Sequence, residues 1–186
     1  MLHRRCRQLW RLLPCGWAGV WASVGAGVFL AIPAAALALE EPPLKAAIVY
    51  SLLQYVQWPD EAALAAGAPL ALCAERQGVL WPHLSALNGR TVRQLRLELR
   101  DAADEPAARG CRAWVLEDGG RVPPQRGEAG LLTIGDGARA DGAGIVIGLR
   151  RGPASRLFFD VDLVAARQQG LQVSSKMLRL ARQVRE

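Results

Sequence analysis

Hydrophobic residues along this chain fall into short apolar runs separated by segments with helical or turn-like patterns. Within residues 44–58 they recur every three to four positions, which predicts a helix that Pro59 ends. A second helical pattern, with one apolar and one basic face, covers residues 173–184. Its apolar face includes Met177 and Leu180, so we expect both side chains to be buried.

The remaining apolar runs predict a sheet. Buried or half-buried strands are expected at residues 70–73, 92–99, 113–116, 131–134, 144–149 and 157–161. Short helical segments are expected between them at residues 79–87, 102–109 and 162–168, the last capped by Asp162. This alternation predicts an α/β fold with a mostly parallel sheet, flanked by helices on both faces and followed by a C-terminal helix. The last two strands have little chain between them, which predicts an antiparallel hairpin at one edge.

The first 38 residues have the pattern of a secretory signal peptide. Four arginines within the first eleven residues precede a run from 14 to 39 without any charged residue. The run ends in Ala36-Leu37-Ala38, a small-x-small cleavage pattern. We therefore expect a signal peptide at 1–38 and a single mature domain at 39–186. The alternative is an uncleaved anchor, because about 20 apolar residues can span a bilayer.

The charge balance argues against nucleic-acid binding. The whole chain carries 23 basic and 17 acidic residues, a net charge of +6. Removing the four arginines of the leader leaves 19 basic residues against 17 acidic ones, or +2. Nucleic-acid binding therefore loses its main support, and the expected export of the domain argues against it further.

Two of the four cysteines, Cys73 and Cys111, lie in the mature domain. In an oxidising compartment one pair can form a disulfide, which would stabilise the domain by about 4 kcal/mol in the chain-entropy model. Two buried free thiols are the alternative. We expect no metal site, because His3 and His83 are the only histidines and no Cys-x-x-Cys spacing occurs.

No combination of residues in the sequence predicts catalysis. The segment Ser174-Ser175-Lys176 places serine next to lysine, but adjacent side chains on a helix point about 100° apart. Either serine is better interpreted as the N-cap of the final helix. His83 is not next to any nucleophile in sequence and is expected on a helix surface.

Three acidic residues predict a possible ligand crevice. Glu75, Asp118 and Asp136 each follow a predicted strand. Ligands of open α/β sheets bind beyond the carboxyl ends of the strands, where these side chains could lie together. The alternative is that they are solvated strand-end residues.

The mature domain has a distinctive motif near each end. LKAAIVY at 44–50 is followed by Trp58-Pro59, and GLQVSSKMLRLA covers 170–181. These segments resemble the opening and closing motifs of the YfiR-like family of periplasmic proteins. Weaker similarity occurs at 72–73, 110–116, 132–136 and 156–160. The motif residues that we single out are Lys45, Tyr50, Trp58, Pro59, Ser174 and Ser175.

The resemblance implies a small, non-enzymatic periplasmic protein, often a homodimer, with no cofactor. The family's best-known member is a repressor that binds the periplasmic domain of a membrane diguanylate cyclase, which lowers cyclic di-GMP and biofilm formation. The resemblance implies the same role here, with release of the cyclase by an outer-membrane lipoprotein or by redox stress. The resemblance supports a Cys73–Cys111 disulfide. The chain departs from the family in two ways: Asp160 replaces the usual asparagine, and no second mature cysteine pair exists, so a two-disulfide redox sensor is not implied.

We expect the partner surface on the predicted strand near residues 158–162 and on the basic face of the last helix. The candidate partner-binding residues are Phe158, Asp160, Asp162, Lys176, Arg179 and Arg182. A releasable contact should be apolar with charged edges, and smaller than an obligate interface. The alternative function is a periplasmic small-molecule-binding module that uses the strand-end crevice.

Overall fold

A computed structural model describes residues 40–59, 61–62, 67–124 and 129–186 of this protein. The predicted signal peptide lies outside these residues, so its cleavage remains a prediction. Within the described part of the chain, no helix is both long and apolar enough to cross a membrane.

Short helices and strands alternate along the described residues. The helices are α1 (Glu41–Leu53), α2 (Trp81–Ser85), α3 (Glu105–Ala108), α4 (Leu163–Gln168) and α5 (Ser175–Leu180). The strands are β1 (Val56–Gln57), β2 (Leu70–Ala74), β3 (Thr91–Val92), β4 (Leu95–Asp101), β5 (Ala113–Leu116), β6 (Leu132–Asp136), β7 (Ile147–Arg151), β8 (Leu157–Asp162), β9 (Gln172–Val173) and β10 (Gln183–Arg185). Single-turn 3-10 helices cover Gly137–Asp141 and Pro153–Ser155.

Eight strands form one mixed sheet in the order β10-β8-β7-β6-β5-β2-β4-β3. The five central strands β4, β2, β5, β6 and β7 are parallel to one another. At the margins, β3 is antiparallel to β4, β8 is antiparallel to β7, and β10 is parallel to β8. A separate antiparallel ribbon joins β1 to β9. The predicted α/β fold with a mostly parallel sheet is therefore confirmed.

The central strands are buried on both faces. Every residue of β2 and β5 is buried, and successive residues of β2 alternate between two hydrophobic clusters: Leu72 belongs to one and Cys73 to the other. A disulfide joins Cys73 to Cys111, which lies just before β5, with a Cα–Cα distance of 6.0 Å. Both cysteines are buried, so the predicted pairing is confirmed and the free-thiol alternative is wrong.

The first helix is shorter than its apolar spacing predicts. Proline residues at 42 and 43 lie in its first turn, where a missing backbone N–H costs nothing. The helix ends at Leu53 rather than at Pro59. Val56 and Trp58 are buried while Gln57 is exposed, which is a strand alternation, and Val56 pairs with Val173 of β9. Pairing with a distant strand therefore overrides the helical spacing.

The expected C-terminal helix at 173–184 is wrong at both ends. Helix α5 covers only Ser175–Leu180, with Val173 in β9 before it and Gln183–Arg185 in β10 after it. Met177 is fully buried as predicted, but Leu180 is 68% exposed and its predicted burial is wrong. The helix stops because Ala181 adopts an extended backbone and the Arg182 N–H donates to the Phe159 carbonyl, which starts the pairing of β10 with β8.

Three other predictions change in detail. Residues 92–99 form parts of two strands, because Arg93 has a positive φ of 56° and turns the chain back between β3 and β4. The helix expected at 102–109 contains only Glu105–Ala108. The antiparallel pairing of β7 with β8 is confirmed, but the pair does not form the sheet edge, since β10 lies outside β8.

Candidate functional site

A crevice opens at the carboxyl ends of β2, β5 and β6. Strands β2 and β5 are neighbours, yet the chain leaves β2 toward β4 on one side of the sheet and leaves β5 toward β6 and β7 on the other. Such a switch point separates the loops that follow the two strands and leaves space between them. The resulting cavity has a volume of about 590 Å³.

All three acids predicted to follow strands line this cavity: Glu75, Asp118 and Asp136. The structure adds Glu41 and Glu117, which the sequence analysis did not single out. Glu117 is the first residue after β5 and would have been found by applying the same strand-end rule one position earlier. Glu41 comes from the first turn of α1, and its approach to the cavity depends on tertiary packing.

Lys45 connects α1 to the sheet at the crevice. Its Nζ lies 2.7 Å from Glu41 Oε1 and 2.8 Å from Asp136 Oδ2. Burial alone would lower the pKa of Lys45, but the hydrogen bonds it donates to Asp136 and Glu41 outweigh burial and raise that pKa. The hydrogen bond from Lys45 also holds the pKa of Glu41 below its ordinary value. The predicted motif residue Lys45 thus belongs to the crevice.

The carboxyl group of Glu117 is partly enclosed by the surrounding protein. Its Oε1 accepts a hydrogen bond of 3.0 Å from the Leu80 N–H, whereas its Oε2 is shielded from solvent and has no hydrogen-bond partner in the described part of the chain. Burial raises the pKa of this carboxyl, and the nearby charge of Asp136 raises it further. A Cβ atom at position 78 would overlap with Glu117 Oε2, so the close approach of this carboxyl to the backbone requires glycine at position 78.

The other two acids hold the loops that form the crevice. Glu75 Oε1 accepts a hydrogen bond of 2.6 Å from the Arg121 N–H, and Asp118 Oδ1 accepts one of 2.9 Å from the Ala138 N–H. One oxygen of each carboxylate therefore fixes a turn. Val79, which also lines the cavity, is 67% exposed.

The candidate partner-binding residues on β8 contact other parts of the same molecule. Asp160 accepts hydrogen bonds from Arg150 at 2.5 Å and from Arg182 at 2.6 and 3.0 Å. Asp162 Oδ1 accepts the Ala165 N–H at 2.9 Å and thus caps α4, as predicted. Its Oδ2 pairs with Arg185 at 3.1 Å. These two aspartates fasten β10 to the sheet.

Two arginines surround Asp160, which stands where the family resemblance implies asparagine. Burial alone would raise the pKa of the Asp160 carboxyl, but hydrogen bonds from Arg182 and Arg150 outweigh it and hold that pKa low. A carboxylate forms charge-assisted hydrogen bonds with both guanidinium groups, whereas the oxygen of a neutral amide carries no opposite charge. On the same strand, Phe158 is half-buried and packs against Gly152.

The candidate residues on helix α5 are exposed to solvent. Lys176 and Arg179 are exposed, and neither forms an ion pair with any residue that the structure describes. The exposed Leu180 follows Arg179 directly. Arg182 is not on the helix and forms an ion pair with Asp160. The six candidates therefore divide into a group on β8 and just before β10, which contacts the rest of the molecule, and an exposed group on α5. We call Lys176, Arg179 and Leu180 the α5 surface.

The motif residues at the two ends of the domain act together. Ser174 is the N-cap of α5: its Oγ accepts the Lys176 N–H at 3.3 Å, and Ser175 is the first helical residue. The Ser174 N–H donates to the carbonyl of Tyr55 at 2.9 Å, next to the β1–β9 pairing. The segment after the opening motif is therefore bonded directly to the closing motif.

The remaining motif residues anchor α1 and the chain that follows it. Tyr50 donates its hydroxyl to the Thr91 carbonyl at 2.7 Å, which ties α1 to β3. The buried Trp58 donates its indole N–H to the Arg112 carbonyl at 3.0 Å, as expected for a core residue. Pro59 is exposed and lies near Gly170. These residues have structural contacts that account for their place in the motif.

The chain matches a known protein-family model. A sequence profile described as YfiR/HmsC-like matches residues 42–182, which include both terminal motifs and every strand from β1 to β9. No curated protein matches the chain.

Proposed function

The chain is a member of the YfiR/HmsC-like family, and from this we propose that it is a periplasmic, non-enzymatic regulator of a membrane diguanylate cyclase. It would bind the cyclase's periplasmic domain and hold the enzyme inactive, which lowers cyclic di-GMP and biofilm formation. A binding protein shifts such an equilibrium only by the difference between its affinities for the two states. The match over residues 42–182 carries this proposal.

The α5 surface is the contact region that the structure favours. It combines an apolar side chain, Leu180, with two cations that have no ion-pair partner among the described residues, Lys176 and Arg179. Protein interfaces pair an apolar centre with a polar rim, and transient ones remain small. Such a surface suits a partner with an acidic rim that must be released on signal.

We extend the proposal to location and assembly. The predicted leader directs export, and the buried Cys73–Cys111 disulfide suits an oxidising compartment. The protein would act as a homodimer, and an outer-membrane lipoprotein would release the cyclase by competing for the repressor. The disulfide has a structural place in the core between β2 and the start of β5.

The test is a deletion with complementation. Deleting the gene should raise cyclic di-GMP and surface attachment, and only in a strain that contains the partner cyclase. The wild-type gene and an Arg167→Glu control should restore repression, whereas Arg179→Glu should not. Arg167 is an exposed residue of the neighbouring helix α4, so the control makes the same charge change elsewhere. Unchanged cyclic di-GMP in a deletion strain with the cyclase would contradict the proposal.

A second function is supported by the crevice at the ends of β2, β5 and β6. Its volume of about 590 Å³ and its position at a switch point suit a periplasmic small-molecule-binding module. Mass spectrometry of the protein isolated from the periplasm should then detect a bound metabolite. A protein that carries no metabolite and binds none from periplasmic extract would count against this function.

A further inference from the structure

We propose that the switch-point crevice binds a small organic cation, a primary ammonium group on an aliphatic stem, as in a short diamine. This deepens the second function above and rests on it. It does not depend on whether the chain also represses a cyclase.

The acidic lining of the cavity favours a positively charged ligand. The charged residues that line the cavity are five acids and one lysine: Glu41, Glu75, Glu117, Asp118, Asp136 and Lys45. A cleft with walls of low dielectric constant and charges mainly of one sign concentrates the field inside it and attracts ions of the opposite sign.

Two carboxyl oxygens at this crevice have no compensating donor. Glu117 Oε2 and Asp136 Oδ1 are both shielded from solvent, and neither has a hydrogen-bond partner among the described residues. Polar atoms enclosed in this way almost always have one. The other oxygen of each carboxyl does accept a hydrogen bond, from the Leu80 N–H in Glu117 and from Lys45 Nζ in Asp136. Direct contact with a ligand falls to the more accessible Asp118 and Glu75, each of which uses one oxygen to hold a turn.

The protein's own Lys45 shows which cation these groups accept. Its primary ammonium, at the end of an alkyl chain, lies between the carboxylates of Glu41 and Asp136 at 2.7 and 2.8 Å. Val79 and Pro42 add apolar surface to the cavity lining. A ligand with a charged head and an aliphatic stem uses both features, because long amphipathic chains place the stem on apolar surface and the charge on polar groups.

The arrangement of the acids favours an organic cation over a metal ion. Among the described residues, no three His, Cys, Asp or Glu side chains lie close enough together to hold a metal. Calcium and magnesium require several oxygen ligands at about 2.0–2.6 Å from one point. An ammonium group needs only a few hydrogen-bond acceptors in a negative field.

Calorimetric titration of the purified protein, expressed from the full-length gene, tests the inference. Putrescine (1,4-diaminobutane) is the probe, 1,4-butanediol is its uncharged counterpart, and magnesium chloride tests the metal alternative. We expect saturable putrescine binding that weakens as sodium chloride is added, because salt screens the attraction. Butanediol should not bind. Equal binding of the diol, tighter binding of magnesium, or no saturable binding of putrescine would overturn the proposal.

Matched variants locate the site. Asp118→Asn retains an oxygen for the Ala138 N–H but loses the charge, and we expect about threefold to fivefold weaker putrescine binding, as for loss of one exposed charge pair. Glu75→Gln should have a similar effect. Asp104→Asn removes an exposed charge that does not line the crevice, and its affinity should equal that of the wild type. Equal affinity in all three variants would overturn the assignment of the site. A defect of the Asp118 variant in binding, with normal cyclic di-GMP repression, would separate this inference from the regulatory proposal.

Discussion

Arg182 and Asp160 form a two-point ion pair, with Nη2–Oδ2 at 2.6 Å and Nε–Oδ1 at 3.0 Å. The Asp160 side chain is only 17% exposed, so the pair is partly shielded from water. Because Arg182 lies just before β10, this contact fixes the last strand against β8. Two residues that the sequence assigns to a partner surface therefore hold the fold together.

Replacing Arg182 by glutamine should destabilise the protein. The change leaves Asp160 with Arg150 as its remaining ion-pair partner, and the loss should be about 1–3 kcal/mol, typical of a hydrogen bond to a charged group. Urea denaturation of Arg182→Gln measures it. Arg179→Gln removes an equal charge without an ion pair and should change the free energy of unfolding by less than about 0.5 kcal/mol. Equal losses in the two variants would contradict the role of the pair.

Helix α5 should respond very differently at two positions three residues apart. Met177 is fully buried, so Met177→Ala should cost about 2–5 kcal/mol through lost burial and the cavity left behind. Leu180 is 68% exposed, and Leu180→Ala should stay within about 0.5 kcal/mol. Thermal and urea unfolding of both variants would decide this. A large loss for Leu180→Ala would mean that the side chain is covered in solution.

The disulfide should act as a structural bond that reductants reach only slowly. Cys73 and Cys111 are both buried, and they close a loop with a sequence separation of 38. Replacing both by alanine should lower the free energy of unfolding by about 4 kcal/mol or less. Labelling of thiols by iodoacetamide in the presence of dithiothreitol should be slow in the native protein and fast in urea. Fast labelling of the native protein would show that the bond is accessible.

Glu117→Gln should stabilise the protein at neutral pH. Burial raises the pKa of Glu117, so the folded state holds this proton more tightly than the unfolded state does. Stability is therefore lost as pH rises from the unfolded pKa of about 4.3 through the higher folded pKa. Glutamine keeps an oxygen for the Leu80 N–H and removes the buried charge. The melting temperature should exceed that of the wild type at pH 7, and the difference should disappear below pH 4.

The interior of the sheet was predictable from the sequence and its margins were not. Residues 113–116 were expected as a strand and form β5, because a strand buried on both faces is a continuous apolar run whatever its neighbours are. Val56 and Val184 follow a helical spacing in the sequence but lie in strands β1 and β10. Each short strand is stabilised by a partner far away in the chain, and local spacing contains no information about that partner.

The same distinction applies to the candidate site. Glu75, Asp118 and Asp136 could be placed in one crevice because the carboxyl ends of parallel strands share an edge. The pairing of Lys45 with Asp136 could not, since it depends on how α1 crosses the sheet. Arg182 was assigned to a helix face, and only the position of β10 reveals that it meets Asp160.

The ribbon between β1 and β9 also constrains the time at which the protein can fold. Val56 lies near the start of the described chain and Val173 near its end, yet they are direct partners. Contacts between such distant segments form late, because a long loop must close first. During the export that we propose, β1 has no β9 to pair with until the closing segment has crossed the membrane. We therefore expect the β1 edge to stay unpaired, and accessible to chaperones and proteases, until that segment has emerged.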